Sequence, residues 1–220
     1  MTNQEHQKHI ENVIKNTFEI IQDVYNHQKE GNKEGLGASS KRSRIIFPNS
    51  CKGETRISEQ ELRFIFVEQL NKEIADEGNA WDVYYSVETP TKGDKYCFPQ
   101  KEKPYYNLDK DKDGKGDSAN FDLVIFDNEL QRIALIEFKA NNRGNHEKDI
   151  LKLNHPKELD SNPLRYFIEI VKSADSGTYK SLNKKIKDKG DDIIFRCWSL
   201  EGKSGEKDIT NKILHSEENK

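Results

Sequence analysis

Long apolar runs are missing from this 220-residue chain: nothing approaches the roughly 18 consecutive apolar residues that a membrane-spanning helix needs. Charged residues make up 34% of it and mean hydropathy is −0.98, so a water-exposed surface around a modest core is expected. The opening Met1-Thr2-Asn3-Gln4-Glu5-His6 lacks the basic-then-apolar pattern of a secretory signal, which points to cytoplasmic residence. Cysteine is scarce. Cys51, Cys97 and Cys197 are odd in number and lack metal-finger spacing, so free thiols are expected rather than a disulfide framework. Also absent are a Gly-x-x-x-x-Gly-Lys phosphate loop, a Gly-x-Ser-x-Gly elbow and a Gly-x-Gly-x-x-Gly turn. Those absences argue against phosphate-loop ATPases, serine hydrolases of the elbow type and dinucleotide-binding enzymes. A net charge of −3 counts against a general nucleic-acid coat protein. It counts less against a nuclease, because metal-binding carboxylates lower the total while local patches meet phosphate.

What is present is charge placed inside apolar segments. Asn120-Phe121-Asp122-Leu123-Val124-Ile125-Phe126 and Ile133-Ala134-Leu135-Ile136-Glu137-Phe138-Lys139-Ala140 both read as buried strands, rich in β-branched and aromatic residues. A buried charge is costly unless it is paired or holds a cation. Strand alternation puts Glu137 and Lys139 on the face of Ile133 and Leu135. A four-residue loop over 128–131 pairs Asp127 with Arg132 and sets Asp122 opposite Glu137. Two carboxylates and a lysine then converge, as a divalent-metal site with a cationic partner would require.

Upstream, Ser58-Glu59-Gln60-Glu61 fits a capping box, with Ser58 as N-cap and Glu61 reaching back to it. Leu62, Ile65, Phe66 and Leu70 form the buried stripe, and Glu59 lies on their side. Glu59 is therefore the candidate upstream site carboxylate, against the plain alternative of a first-turn dipole residue. Asp122, the gap to Glu137-Phe138-Lys139 and the preceding helix together resemble the PD-(D/E)XK nuclease superfamily. So does the order helix, three strands, helix, strand across roughly residues 56–200. Phe121 stands where a proline precedes the aspartate in that pattern. The resemblance implies an α/β fold, a restriction-endonuclease-like mixed β-sheet flanked by helices, with an additional N-terminal helix. It implies catalytic Asp122, Glu137, Lys139 and Glu59. One or two Mg²⁺ ions, with Mn²⁺ as a substitute, would bind Asp122, Glu137, Glu59 and the Phe138 carbonyl. Arg143, Lys152, Lys180 and Lys184 are the candidate contacts to nucleic acid, expected to be DNA. A homodimer or a larger defence or repair complex would supply specificity. The alternative is a nuclease-fold module that binds nucleic acid or protein without chemistry.

The domain division expected is 1–40 for an amphipathic helix and flexible joint, 41–204 for the nuclease-like domain and 205–220 for a polar, fraying tail. The first helix spans 5–28, with Ile10, Val13, Ile14, Thr17, Ile21, Val24 and Tyr25 on one stripe, and the joint covers 31–40. A strand is expected over 81–88, a turn at 89–93 and a short edge strand over 95–99. Helices over 147–153 and 176–189 and strands over 165–171 and 192–198 complete the order. Asp109, Asp111 and Asp113 with Gly114 match the first half of an EF-hand loop and could hold Ca²⁺. Position twelve of that loop is Asn120 and a strand follows, so a charged turn is the default. Glu88, His146 and His155 read as solvent-facing, and Lys41-Arg42-Ser43-Arg44 as a solvated or phosphate-gripping loop.

Overall fold

The stripe at the N-terminus builds a longer helix than its apolar spacing alone marks out. In the computed structural model α1 runs Asn3–Glu34, and Ile10, Val13, Ile14, Ile21, Val24 and Tyr25 are all buried. Thr17, the one polar member, is tolerated because its hydroxyl donates to the Val13 carbonyl oxygen at 2.7 Å. Gly31 lies within α1, so the joint expected from residue 31 is helical as far as Glu34. The structure describes residues 1–34, 42–49, 51, 53–92, 119–141, 146–187, 192–202 and 207–216. The aspartate-rich loop with Asp109, Asp111 and Asp113, the expected edge strand 95–99, Cys97 and Arg143 lie outside the described residues.

Helix α2, Glu59–Glu77, follows Ser58 in extended N-cap geometry. The capping box takes a different form: the Ser58 hydroxyl donates to the Glu61 carboxylate, and no side chain caps the backbone. Gly78, at φ 54°, ends the helix and donates its N–H to the Ile74 carbonyl. Trp81 belongs to the 3₁₀ turn Gly78–Trp81 rather than to a strand. Strand β1 is displaced to Tyr84–Pro90, and Thr89 and Pro90, expected in a turn, pair with Phe121 and Asn120. Among the described residues β1 is the edge of the sheet, where proline is accepted because no donor is needed on the outer side.

Strands β2 (Asn120–Phe126) and β3 (Arg132–Ala140) form the expected hairpin, with β4 (Leu164–Val171) and β5 (Ile193–Ser199) beyond them. The described strands make one mixed sheet in the order β1-β2-β3-β4-β5, antiparallel up to β3 and parallel from β3 to β5. Helix α3 (Glu147–Leu153) lies between β3 and β4 in the chain, and α4 (Ser176–Lys187) between β4 and β5. One apolar cluster joins α1 and α2 to Leu123, Ile125, Ile136, Phe138 and Ile168. The other joins α3 and α4 to Val124, Leu135, Phe167 and Phe195. Helices thus cover both faces, and β3 is buried along its interior, as parallel pairing favours. Residues 207–216 do not fray: α5 (Thr210–Leu214) seats Ile209 and Ile213 in the second cluster. No described helix is long and apolar enough to cross a membrane.

Candidate active site

Pairing of β2 with β3 keeps the expected register in its interior, Leu123↔Ile136 and Val124↔Leu135. Next to the turn it does not: Phe126, not Asp127, opposes Arg132, across a bulge at Ile125/Phe126. Asp127 instead takes the backbone N–H groups of Glu129 and Gln131 on its carboxylate. The bulge also separates Ile133, which joins the first cluster, from Leu135 on the face of Glu137. Beyond Leu123 the two strands stop pairing residue by residue. There Asp122 Oδ2 accepts the Phe138 N–H at 2.7 Å, a side chain standing where a ladder carbonyl would.

This parting of strands is where the charges gather. Arg63, buried on α2, donates Nη2 to Asp122 Oδ1 at 3.0 Å and Nη1 to Glu88. Glu88 reaches it from a backbone position at φ 48°. Lys139 Nζ lies 3.2 Å from Asp149 Oδ2 and 3.8 Å from Glu59 Oε2. Lys152 Nζ lies 2.7 Å from Glu137 Oε1 and 3.1 Å from Asp149 Oδ1, and donates to the Asn120 carbonyl at 2.8 Å. Phe138, pointing the opposite way from its neighbours, packs edge-on against Phe66 at 5.1 Å and fixes α2 over the strand. Glu59, Asp122, Glu137 and Lys139 are therefore brought into one neighbourhood by α2, β2 and β3.

Burial and charge act against each other on Glu59, Glu137, Lys139, Asp149 and Lys152. Burial pushes the Glu137 carboxyl well above the usual range, with Lys152 opposing the rise. Burial also raises Glu59, against the pull of Lys139. For Lys139, burial alone would lower the pKa, but Asp149, Glu137 and Glu59 outweigh it and hold the ammonium above its ordinary value. Lys152 is held up in the same way by Glu137 and Asp149. Asp149 is lowered: burial would raise it, and Lys139 and Lys152 together prevail.

Three expectations need correction. Lys152 is buried with two carboxylate partners, so it is a component of this cluster and not a phosphate contact on the surface. His146 and His155 are interior residues. His146 packs against Phe167 with Nε2 3.6 Å from the Glu169 carboxylate, and His155 Nδ1 accepts the Lys157 N–H at 3.3 Å. Glu88 is exposed, as expected, and its carboxylate also receives Arg63 Nη1. Lys180 and Lys184 are exposed on α4, as expected. Ser43 is buried and donates to Glu68, while Arg42 lies 3.7 Å from Glu19, so part of the basic loop is tied to the body. Arg63 and Asp149 were missed; each sits one turn from a recognised residue, Arg63 four after Glu59 and Asp149 three before Lys152.

The donor chemistry of Glu59, Asp122 and Glu137 is all hard oxygen, which suits a cation such as Mg²⁺. Five carboxylates (Glu59, Glu88, Asp122, Glu137, Asp149) meet three cations (Arg63, Lys139, Lys152), two negative charges in excess when all are ionised. Their oxygens are spread among those cations. Among the described residues the one group with three potential ligand atoms within 4.8 Å of one another is His9, Glu73 and Glu77. No family model, curated protein or solved structure matches the chain.

Proposed function

We propose that the protein is a metal-dependent nuclease that hydrolyses phosphodiester bonds, with DNA as its substrate, on a restriction-endonuclease-like core. The observation that carries this reading is the gathering of five carboxylates against three cations at the parting of β2 and β3, an excess of two charges when all are ionised. One divalent cation would balance it. The element order α2, β1, β2, β3, α3, β4 supports the same reading, being the order of the PD-(D/E)XK core that the motif resembles. Asp122, Glu137 and Glu59 would hold Mg²⁺ or Mn²⁺, with the Phe138 carbonyl as the further donor the resemblance implies. Such an ion polarises a phosphate and acidifies bound water. Lys139, kept protonated by its carboxylate neighbours, faces the charge that builds on the phosphate and stabilises it electrostatically. That role is better supported than general-base action, which needs the neutral amine.

One observation favours a second reading, a nuclease-fold binding module without chemistry. Arg63 already sits on Asp122 and Lys152 on Glu137, so the carboxylates have internal counter-ions. Its contacts would come from exposed lysines such as Lys180 and Lys184. The deciding assay incubates the protein with duplex, single-stranded and branched DNA and with RNA, in Mg²⁺, Mn²⁺ or EDTA. Expected are cleavage of DNA with either metal, none in EDTA, and none from Lys139→Met or Asp122→Asn variants that still melt cooperatively. No cleavage of any substrate, together with no calorimetric heat from Mg²⁺ or Mn²⁺, refutes the nuclease reading in favour of the module.

A further inference from the structure

The group at His9, Glu73 and Glu77 belongs to α1 and α2 and shares no residue with the site proposed above. His9 stands in the first turns of α1, while Glu73 and Glu77, four residues apart, share one face near the end of α2. His9 Nδ1 is 2.9 Å from Glu73 Oε1 and 4.0 Å from Glu77 Oε1. The imidazole is stacked on Trp81, with centroids 4.8 Å apart and planes inclined by 20°, so Nδ1 is held facing the two carboxylates. His6, one turn earlier, differs: its Nδ1 accepts the Trp81 indole N–H at 3.1 Å and is already used. Asn12 donates to Glu73 Oε1 at 3.3 Å, which fixes that carboxylate. Among the described residues neither glutamate has a lysine or arginine partner, so two carboxylates face a single imidazole.

We propose that His9, Glu73 and Glu77 bind a Zn²⁺ ion that clamps α1 to α2. Tetrahedral zinc with nitrogen and oxygen ligands about 2.0–2.2 Å away places those ligand atoms about 3.3–3.6 Å from one another. The 2.9 Å contact has to open and the 4.0 Å one to close, each by less than the length of a bond. Glu77 is 41% exposed on its side chain and can make the larger of these movements. The two carboxylates neutralise the ion, the imidazole adds a neutral nitrogen donor, and water takes the fourth position. The nitrogen donor favours zinc over magnesium, which prefers an all-oxygen shell.

Glu77→Gln separates this reading from a plain His9–Glu73 hydrogen bond, because Glu77 is too far from His9 to belong to that bond. Protein stripped with EDTA and desalted is titrated with Zn²⁺ in a calorimeter, and its melting temperature followed with and without the ion. Expected is one saturable Zn²⁺ per chain with a rise in melting temperature, weakened roughly tenfold or more by Glu77→Gln and abolished by His9→Gln. Asp122→Asn should leave it unchanged. Wild-type protein with no saturable Zn²⁺ heat, or Zn²⁺ affinity untouched by Glu77→Gln, overturns the site. Zinc binding lost in Asp122→Asn but kept in Glu77→Gln overturns it too, by assigning the ion to the strand site.

Discussion

Replacing Lys152 with methionine tests the buried charge cluster where it is least forgiving. Glu137 is fully buried, and its close cation is Lys152 at 2.7 Å, which also neutralises Asp149. Methionine keeps the length and apolar volume of the lysine stem but removes the charge. Breaking a buried pair from one side leaves an uncompensated ion, at about 3–5 kcal/mol. For a chain of this size that corresponds to roughly 6–20 °C of melting temperature at about 2–4 °C per kcal/mol. The loss has a definite pH dependence. Burial already raises the folded-state pKa of Glu137, and removing Lys152 lifts the opposing effect, so the pKa rises further. A carboxyl raised on folding contributes stability below its unfolded value, near 4.3, and loses it as pH climbs through the folded value. The deficit of Lys152→Met should therefore be smallest in acid and grow toward neutral pH. Urea unfolding across that range measures it, and adding Glu137→Gln should recover most of the loss. A deficit under about 1 kcal/mol at neutral pH, or one equally large in acid, would show that Lys152 is not the counter-ion of a buried charge.

Three further outcomes are expected. Glu59→Gln should weaken Mg²⁺ binding by calorimetry and slow cleavage with little change in melting, since its carboxylate is partly exposed and 3.8 Å from Lys139. Glu61→Gln, whose partner is the Ser58 hydroxyl, should leave both nearly untouched; the reverse pattern would put Glu61 in the site. Ile14→Ala, in the buried stripe of α1, should cost about 2–5 kcal/mol in urea unfolding, whereas a loosely attached N-terminal helix would lose almost nothing. In alkali, Lys139 and Lys152 contribute stability that is intact below about 10.4 and disappears as pH rises through their elevated folded values. Lys139→Met should flatten that decline in thermal melts.

The hairpin was legible because its apolar residues allow one alternation. Val124 and Leu135 must share one face and Leu123 and Ile136 the other, so the interior register follows even though the turn itself was read one residue off. The bulge at Ile125/Phe126 absorbs the difference, and nothing in the loop composition announces it. α1 was visible for the same reason, its stripe repeating with helical period over 16 residues from Ile10 to Tyr25. Lys152 was misplaced because a lysine on a short helix resembles any solvated lysine. Its burial comes from Glu137 and Asn120, 15 and 32 residues away. α5 escaped notice since Ile209, Ile213 and Leu214 are three apolar residues in a polar segment, too few to mark a period. Strand β1 was drawn too early, Trp81 reading as a strand residue although its size and indole N–H are spent on His6 and the core.

Asp122 is gripped through both of its oxygens, by the peptide N–H of Phe138 and by the guanidinium of Arg63. The first bond makes the carboxylate a surrogate for main chain: alanine at 122 would leave an amide without its acceptor, whereas asparagine retains one. It also means that this side chain has a single orientation before any visitor arrives. A cation or donor that takes Oδ1 from Arg63 meets a carboxylate whose rotation was already stopped by the sheet. The ordering penalty of roughly 0.5–1.5 kcal/mol for an immobilised side chain has then been met during folding, and exchange at Asp122 becomes a contest of charges alone.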